Sequence, residues 1–248
     1  MTNKIPAEIT EEAQSVKTML LARQYEEKEE ADVAILIPGN TFSSTFLACF
    51  INTIMALQQA GKTFYWKNAH SSILPALRNQ LVGSCPQTEY ISHLPFGFDN
   101  VKPKKVLFLD SDMAWNHEDV IKMLDSEEPV ITGWYVRSDG MPVVMRQKEG
   151  MAEGFHEIIT KEEIEKHEGL MEVTSAGLGL FVTTYEVMEK IGYPWFKFSD
   201  LDGFEDGEYF PVCSGEDVWF CKRIREEGFK VMMDPKIKAG HEKPQVLG

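Results

Sequence analysis

Asp110 and Asp112 stand two residues apart, just past the apolar run Val106-Leu107-Phe108-Leu109. Four large apolar residues in succession fit a strand buried on both faces. In an open α/β sheet, ligands bind beyond the carboxyl ends of the strands. Asp110-Ser111-Asp112 at such an end can turn both carboxylates toward one ligand. Oxygen donors of this kind hold a hard divalent cation. An ordinary acidic turn uses the same residues, because Asp and Ser side chains bond nearby backbone. The tripeptide by itself leaves both readings open.

A second pair of acids opens a helix. Ser214-Gly215-Glu216-Asp217 precedes an amphipathic stretch that ends at Gly228. Asp217 shares a face with Phe220, Cys221 and Ile224, three, four and seven residues on. This aligns one carboxylate with a buried stripe, at the mouth of the domain. Glu216 fits a first-turn acid favoured by the helix dipole. Arg78 and Asn79 lie in a helix that opens at Ser71–Pro75 and runs to about Val82. A guanidinium there matches the oxygens of a diphosphate, although a solvated Arg on a helix surface is commoner. Gly177 and Gly179 interrupt the apolar stretch 173–181, which signals either close approach to the backbone or a bulge. His241, after Gly240, means little on its own.

These residues need a scaffold, and the apolar patterning supplies one. Val33–Ile37 reads as a buried strand ended by Pro38-Gly39, and a helix follows from Ser43 or Ser44 to Ala60. Thr63–Trp66 is the next strand, which completes a βαβ unit. The turn Pro38-Gly39-Asn40-Thr41 is neither a dinucleotide-binding glycine loop nor a P-loop. Residues 94–104 read as a loop, 116–124 as a helix and 129–136 as a strand. Ser138-Asp139-Gly140 turns that strand into a hairpin with Val143–Met145. The acidic stretch 149–171 reads as a variable loop with a short helix from Thr160, and 185–191 as a helix closed by Gly192. Phe229–Met233 is a short strand stopped by Asp234-Pro235. Residues 1–31 read as a peripheral helix carrying Val16, Met19 and Leu20, ahead of a single domain over 32–248. That domain divides into two halves, 32–113 and 114–248.

Bulk composition narrows the function. With 248 residues, 43% hydrophobic and 26% charged, the chain is an ordinary globular protein. A net charge of −14 disfavours nonspecific binding to nucleic acid or anionic membrane. Its 4 cysteines show no metal-binding spacing, so reduced thiols and a cytoplasmic location are expected. No apolar run is long enough to predict a membrane span.

Taken in order, these parts resemble a glycosyltransferase of the A-type (GT-A) fold, similar to the family-two bacterial and phage nucleotide-sugar transferases. The resemblance rests on the strand ending at Pro38, Arg78-Asn79, Asp110-Ser111-Asp112, Gly177-Leu178-Gly179, Gly215-Glu216-Asp217 and Gly240-His241, and it spans roughly residues 32–243. It implies a three-layer α/β/α, Rossmann-like fold with a mostly parallel central sheet. It further implies a nucleotide-sugar donor, UDP-linked more often than GDP-linked, and Mn²⁺ or Mg²⁺. By resemblance Asp112, Asp110 and His241 would hold the metal. Pro38, Arg78, Asn79, Asp110, Ser111 and Asp112 would hold the donor. Asp217 would be the base of an inverting displacement, with Glu216 assisting.

The acceptor is open: a glycan, a protein or a modified base. Trp134, Tyr135, Gly177 and Gly179 are candidates on its side, with Trp195 and Phe196 as further aromatic candidates. A retaining transferase of the same fold is one alternative, a phage-type enzyme acting on modified DNA bases among its forms. A non-catalytic sugar-binding module and a nucleotidyltransferase are the others. The oligomeric state is open.

Overall fold

The computed structural model describes residues 27–84, 91–148, 156–205 and 208–243. Residues 1–26 of the N-terminal helix expected over 1–31, Cys85, and residues 149–155 of the loop expected over 149–171 therefore lie outside the described residues. In chain order the first elements are β1 (Glu29–Pro38), α1 (Ser44–Gln59), β2 (Phe64–Ala69), α2 (Leu74–Gly83), β3 (Val101–Leu109) and β4 (Met113–Ala114). Then come α3 (His117–Asp125), β5 (Val130–Trp134), β6 (Val144–Gln147), β7 (His156–Ile158), α4 (Lys161–Lys166), β8 (Met171–Val173) and β9 (Ser175–Ala176). The last are β10 (Leu180–Thr184), α5 (Tyr185–Ile191), β11 (Ser199–Glu205), β12 (Glu208–Ser214), α6 (Glu216–Glu226), β13 (Val231–Lys238) and β14 (Gly240–His241).

The central sheet has 7 strands in the order β2-β1-β3-β10-β5-β13-β8. Strands β1, β2, β3, β5 and β13 run parallel, while β10 and β8 run against them. The sheet is therefore mixed but mostly parallel, as the sequence implied.

Alternation on the strands explains the layers. In β3, Val106 and Phe108 point into one core and Leu107 and Leu109 into the other. In β1, Ala34 and Leu36 share the first core, and Val33, Ile35 and Ile37 the second. Each strand thus needs helices on both faces. Leu77 and Leu81 of α2, Val187 and Met188 of α5, and Phe220 and Ile224 of α6 cover the first face. Phe46 and Leu57 of α1 and Val120 and Met123 of α3 cover the second. The result is a three-layer α/β/α fold.

Several local expectations change. β1 starts at Glu29, inside the expected N-terminal helix, because it pairs with β3 from Val101 onward. The expected loop 94–104 thus gives its last residues to a strand. Residues 144–147 leave the main sheet: Arg137–Gly140 does form a tight turn, but β6 pairs with β7 and β9 in a separate small sheet. The stretch 173–181 breaks into β8, β9 and the start of β10. Strand β13 runs through Asp234-Pro235 to Lys238, with a register shift between Met233 and Lys238. That irregularity accommodates the proline, which cannot donate to the ladder.

The break at 177–179 has a packing cause. A Cβ on Gly177 would lie 2.3 Å from the Tyr135 hydroxyl oxygen, and one on Gly179 2.9 Å from it. The hydroxyl accepts a hydrogen bond from the Gly179 N–H at 3.2 Å. Both glycines therefore make room for a buried tyrosine rather than for a ligand. Gly177→Ala should destabilise the fold by about 1–3 kcal/mol through overpacking, as a lower urea midpoint with an unchanged m-value would report.

Candidate active site

Two clusters of polar side chains meet at the carboxyl end of β3. The first is built around a buried arginine. Arg78 is 1% exposed, although it carries a full charge. Its Nη2 donates to Asp110 Oδ1 at 2.8 Å, and its Nε donates to Glu216 Oε1 at 3.2 Å. Burial works against the charge, but the two carboxylates more than restore it, and the guanidinium holds its proton above the ordinary range. One guanidinium thus bridges the end of β3 to the first turn of α6.

Aromatic packing sets that spacing. Phe108 lies edge-on to Phe196 and Phe220, with ring centroids 5.6 and 5.8 Å away, and Phe196 and Phe220 lie 4.6 Å apart. Phe220 is one helical turn below Glu216 and Asp217, and Phe108 lies two residues before Asp110. Asn79 fixes the chain at Phe196. Its Oδ1 accepts from the N–H groups of Trp195 and Phe196, and its Nδ2 donates to Phe196 O at 2.6 Å.

Asp217 follows Glu216 and is partly buried at the head of α6. Its Oδ1 accepts from the Val218 N–H at 2.8 Å. Burial pushes its carboxyl up to about 6, the nearby Glu216 charge adds to the rise, and Arg78 opposes it. A carboxylate with this affinity is still largely ionised at neutral pH and is a stronger base than a solvated one.

The second cluster surrounds Asp112. Strand β14 pairs antiparallel with β4, placing His241 beside Met113, and the Glu242 N–H donates to Asp112 O at 2.7 Å. His241 Nε2 then lies 3.2 Å from Asp112 Oδ2, and Lys243 Nζ donates to the same oxygen at 2.5 Å. His241 Nδ1 lies 3.0 Å from Val136 O, and its ring packs edge-on to Tyr135. A carbonyl accepts only, so Nδ1 carries a proton. In the neutral ring the Nε2 lone pair then faces a carboxylate oxygen, whereas in the imidazolium Nε2 donates to it. The neutral arrangement sets two acceptors against one another, which calls for a positive charge between or beside them. Lys243 supplies one. A divalent cation held by Asp112 and His241 would supply another, and a backbone carbonyl behind the imidazole is the usual support for such a ligand. The donor set fits a cation in this respect. Asp110 is turned away to Arg78, and among the described residues no three His, Cys, Asp or Glu side chains converge as a metal cluster.

A cavity of about 420 Å³ opens beside Asp112, lined by Thr41, Phe42, Ser43, Ser111, Asp112, Glu242 and Lys243. The Ser43 hydroxyl donates to Glu242, so the loop after β1 and the segment after β14 close one wall together. Gly39, at φ +142°, has no room for a side chain, since Ser111 Oγ lies 2.2 Å from where its Cβ would stand. Pro38 ends β1 beneath this wall, paired with Ala69. A larger cavity, about 600 Å³, is lined by Lys122, Asp125, Asp234 and Lys236 but contains none of the acids discussed above. Its buried Asp234 is already matched to Lys122 at 2.6 Å.

The proposed acceptor residues do not face this space. Trp134 is 1% exposed and its indole N–H donates to Pro235 O, while Tyr135 is 5% exposed. Trp195 and Phe196 are core residues too. None of these rings offers a face for a sugar to stack on. Ser43, Glu242 and Lys243 escaped the sequence reading, since no spacing links the loop after β1 to the end of the chain.

No family model matches the chain, and no curated protein matches it. Among solved structures, the chain is similar to a crystal structure of GalNAc-T7 with UDP, GalNAc and Mn²⁺. The TM-score is 0.47 at 10% identity, over 85% of this chain and 44% of that one. The chain thus spans less than half the length of that protein. It is also similar to a glycosyltransferase involved in glycosylation of the major capsid of PBCV-1, with TM-score 0.30, 13% identity, and 66% and 69% of the two chains covered. No helix among the described residues is long and apolar enough to cross a membrane.

The raised Asp217 carboxyl has a stability consequence. Its folded value, about 6, exceeds the unfolded value near 3.8, so the folded state binds more protons between them. Stability attributable to this group is present below the unfolded value and is lost as pH rises through the folded one. Asp217→Asn should therefore stabilise the protein at pH 7 by about 1–3 kcal/mol. Urea unfolding should show the gain shrinking toward pH 4.

Proposed function

We propose that the chain is a metal-dependent glycosyltransferase that moves a sugar from a nucleotide-sugar donor to an acceptor hydroxyl. The observation that carries this reading is the meeting of Asp112 and His241 beside a cavity at the end of β3. Asp217 stands in the neighbouring cluster. The order of motifs along the chain supports it independently.

On this reading Asp112 and His241 would hold the metal, and Ser43, Ser111 and Lys243 line the donor cavity. Bound there, a divalent cation would supply positive charge to the departing diphosphate, where negative charge develops. Lys243 adds a second, fixed positive charge on the same side. Asp217 accepts the proton of the acceptor hydroxyl as the oxygen attacks the sugar carbon, and the sugar–phosphate bond breaks in the same step. A single displacement of this kind inverts the anomeric centre. Partial burial suits Asp217 to this role because it strengthens the base while leaving it ionised at neutral pH.

The test is calorimetry with UDP, and with GDP as the comparison, each with and without Mn²⁺. Asp112→Ala should lose metal-dependent nucleotide binding. Asp217→Asn should bind UDP as the parent does and fail to release UDP from a UDP-sugar. Parent-like binding by Asp112→Ala would remove the metal assignment. Transfer by Asp217→Asn would remove the base.

A further inference from the structure

We infer that Arg78 is a positioning residue, one that fixes the first turn of α6 against the end of β3 and does not touch the donor. The inference rests on the transferase reading above only in taking Asp217 as the base. Three features of Arg78 carry it.

The first is burial. Only 2% of the Arg78 side chain is accessible, against 25% for Asp110, so Asp110 rather than Arg78 forms the edge of this cluster. A guanidinium that grips a diphosphate must present a donor edge to it. The second feature is that two of its three nitrogens already bind carboxylates. Nη2 donates to Asp110 and Nε to Glu216, while Nη1 is buried, with no hydrogen-bond partner among the described residues and no accessible edge to offer a donor. The third is where its backbone sits. Leu77, Leu81 and Val82 seat α2 in the core, and neighbouring Asn79 pins the Trp195–Phe196 corner that packs on Phe220. Arg78 therefore projects from a rigid base to the two elements that carry the acids. Its planar fork sets a fixed angle between them, which a lysine, with one point charge, does not. Glu216 is held directly, and Asp217 is held through it.

The test uses Arg78→Lys, Arg78→Met and Glu216→Gln in the full chain. Calorimetry with UDP and Mn²⁺ should give affinities within about threefold of the parent for both Arg78 variants. A loss of about thirtyfold or more means that Arg78 holds the donor, and it overturns the inference. With a UDP-sugar, Arg78→Lys should lower kcat about a hundredfold with donor KM unchanged, since small misplacements of a catalytic group cost that much. Unchanged kcat also overturns it.

Arg78→Met combined with Glu216→Gln should lose no more kcat than the worse single variant, because both cut one linkage. Additive losses overturn the inference. Should Arg78→Met not fold, Arg78→Lys takes its place in the same cycle. Should the parent take up no UDP, the transferase reading fails and the strut is judged apart from it. The cycle is then run on urea unfolding, where coupling between positions 78 and 216 supports the strut and its absence overturns it.

Discussion

A charge kept out of water is the constraint around which this end of the molecule is built. Moving a guanidinium into the interior costs several kcal/mol unless carboxylates meet it with good geometry. Arg78 meets two, and they come from unlike places: the last turn of a strand and the first turn of a helix. Neither acid can withdraw without leaving the cation uncompensated. The positions of β3, α2 and α6 are therefore tied by electrostatics as well as by the Phe108–Phe196–Phe220 packing beneath. Apolar contact alone tolerates small slips, whereas a two-armed ion pair fixes distance and angle together. A base whose reach must be right to a fraction of an ångström gains most from such a tie.

The same linkage separates two chemistries that stand side by side. Around Asp112, Lys243 brings a positive charge and a hydrogen-bond donor to a carboxylate that is more than a third exposed, with His241 beside it. Around Asp217 the surroundings are drier, and the neighbouring charge that acts on it most, on Glu216, is negative. On the proposed reading one acid holds a cation and the other accepts a proton. Their environments differ because Asp112 lies at the mouth of a strand and Asp217 at the head of a buried helical stripe. In a chain of net charge −14, buried Arg78 and half-exposed Lys243 offset part of the acidic charge gathered at this end.

Much of this could be read from residue order. The double-faced burial of β1 and β3 follows from apolar runs without polar interruption, and the α/β/α layering follows from that. The juxtaposition of Asp112 with His241 was legible only through the resemblance, because 129 residues separate them and no local pattern joins a strand end to a distant histidine. The partners of Arg78 were not legible. Helical spacing places a residue on a face but does not say whether the opposite element offers carboxylates or solvent. Trp134 and Tyr135 failed for a related reason: a ring bound for the core and a ring bound for a sugar have one sequence signature. The central position of β10 was hidden as well. An antiparallel strand between parallel neighbours is as apolar as they are, and its direction is set by the long excursion through β6–β9 that precedes it.

Topology explains why the cavity lies where it does. The chain leaves β1 for β2 on one side and then returns to place β3 on the other. Connections that depart in opposite directions leave a crevice between the strand ends, and open α/β sheets bind ligands there. The lining matches that expectation: Thr41, Phe42 and Ser43 follow β1, and Ser111 and Asp112 follow β3. What the sheet alone does not supply is a third wall. The irregularity in β13 lets the chain run past Pro235 into β14, and β14 crosses to β4 instead of joining the main sheet. That crossing brings His241, Glu242 and Lys243 over the crevice. The proline that read as the end of a strand thus marks the bend that completes the site.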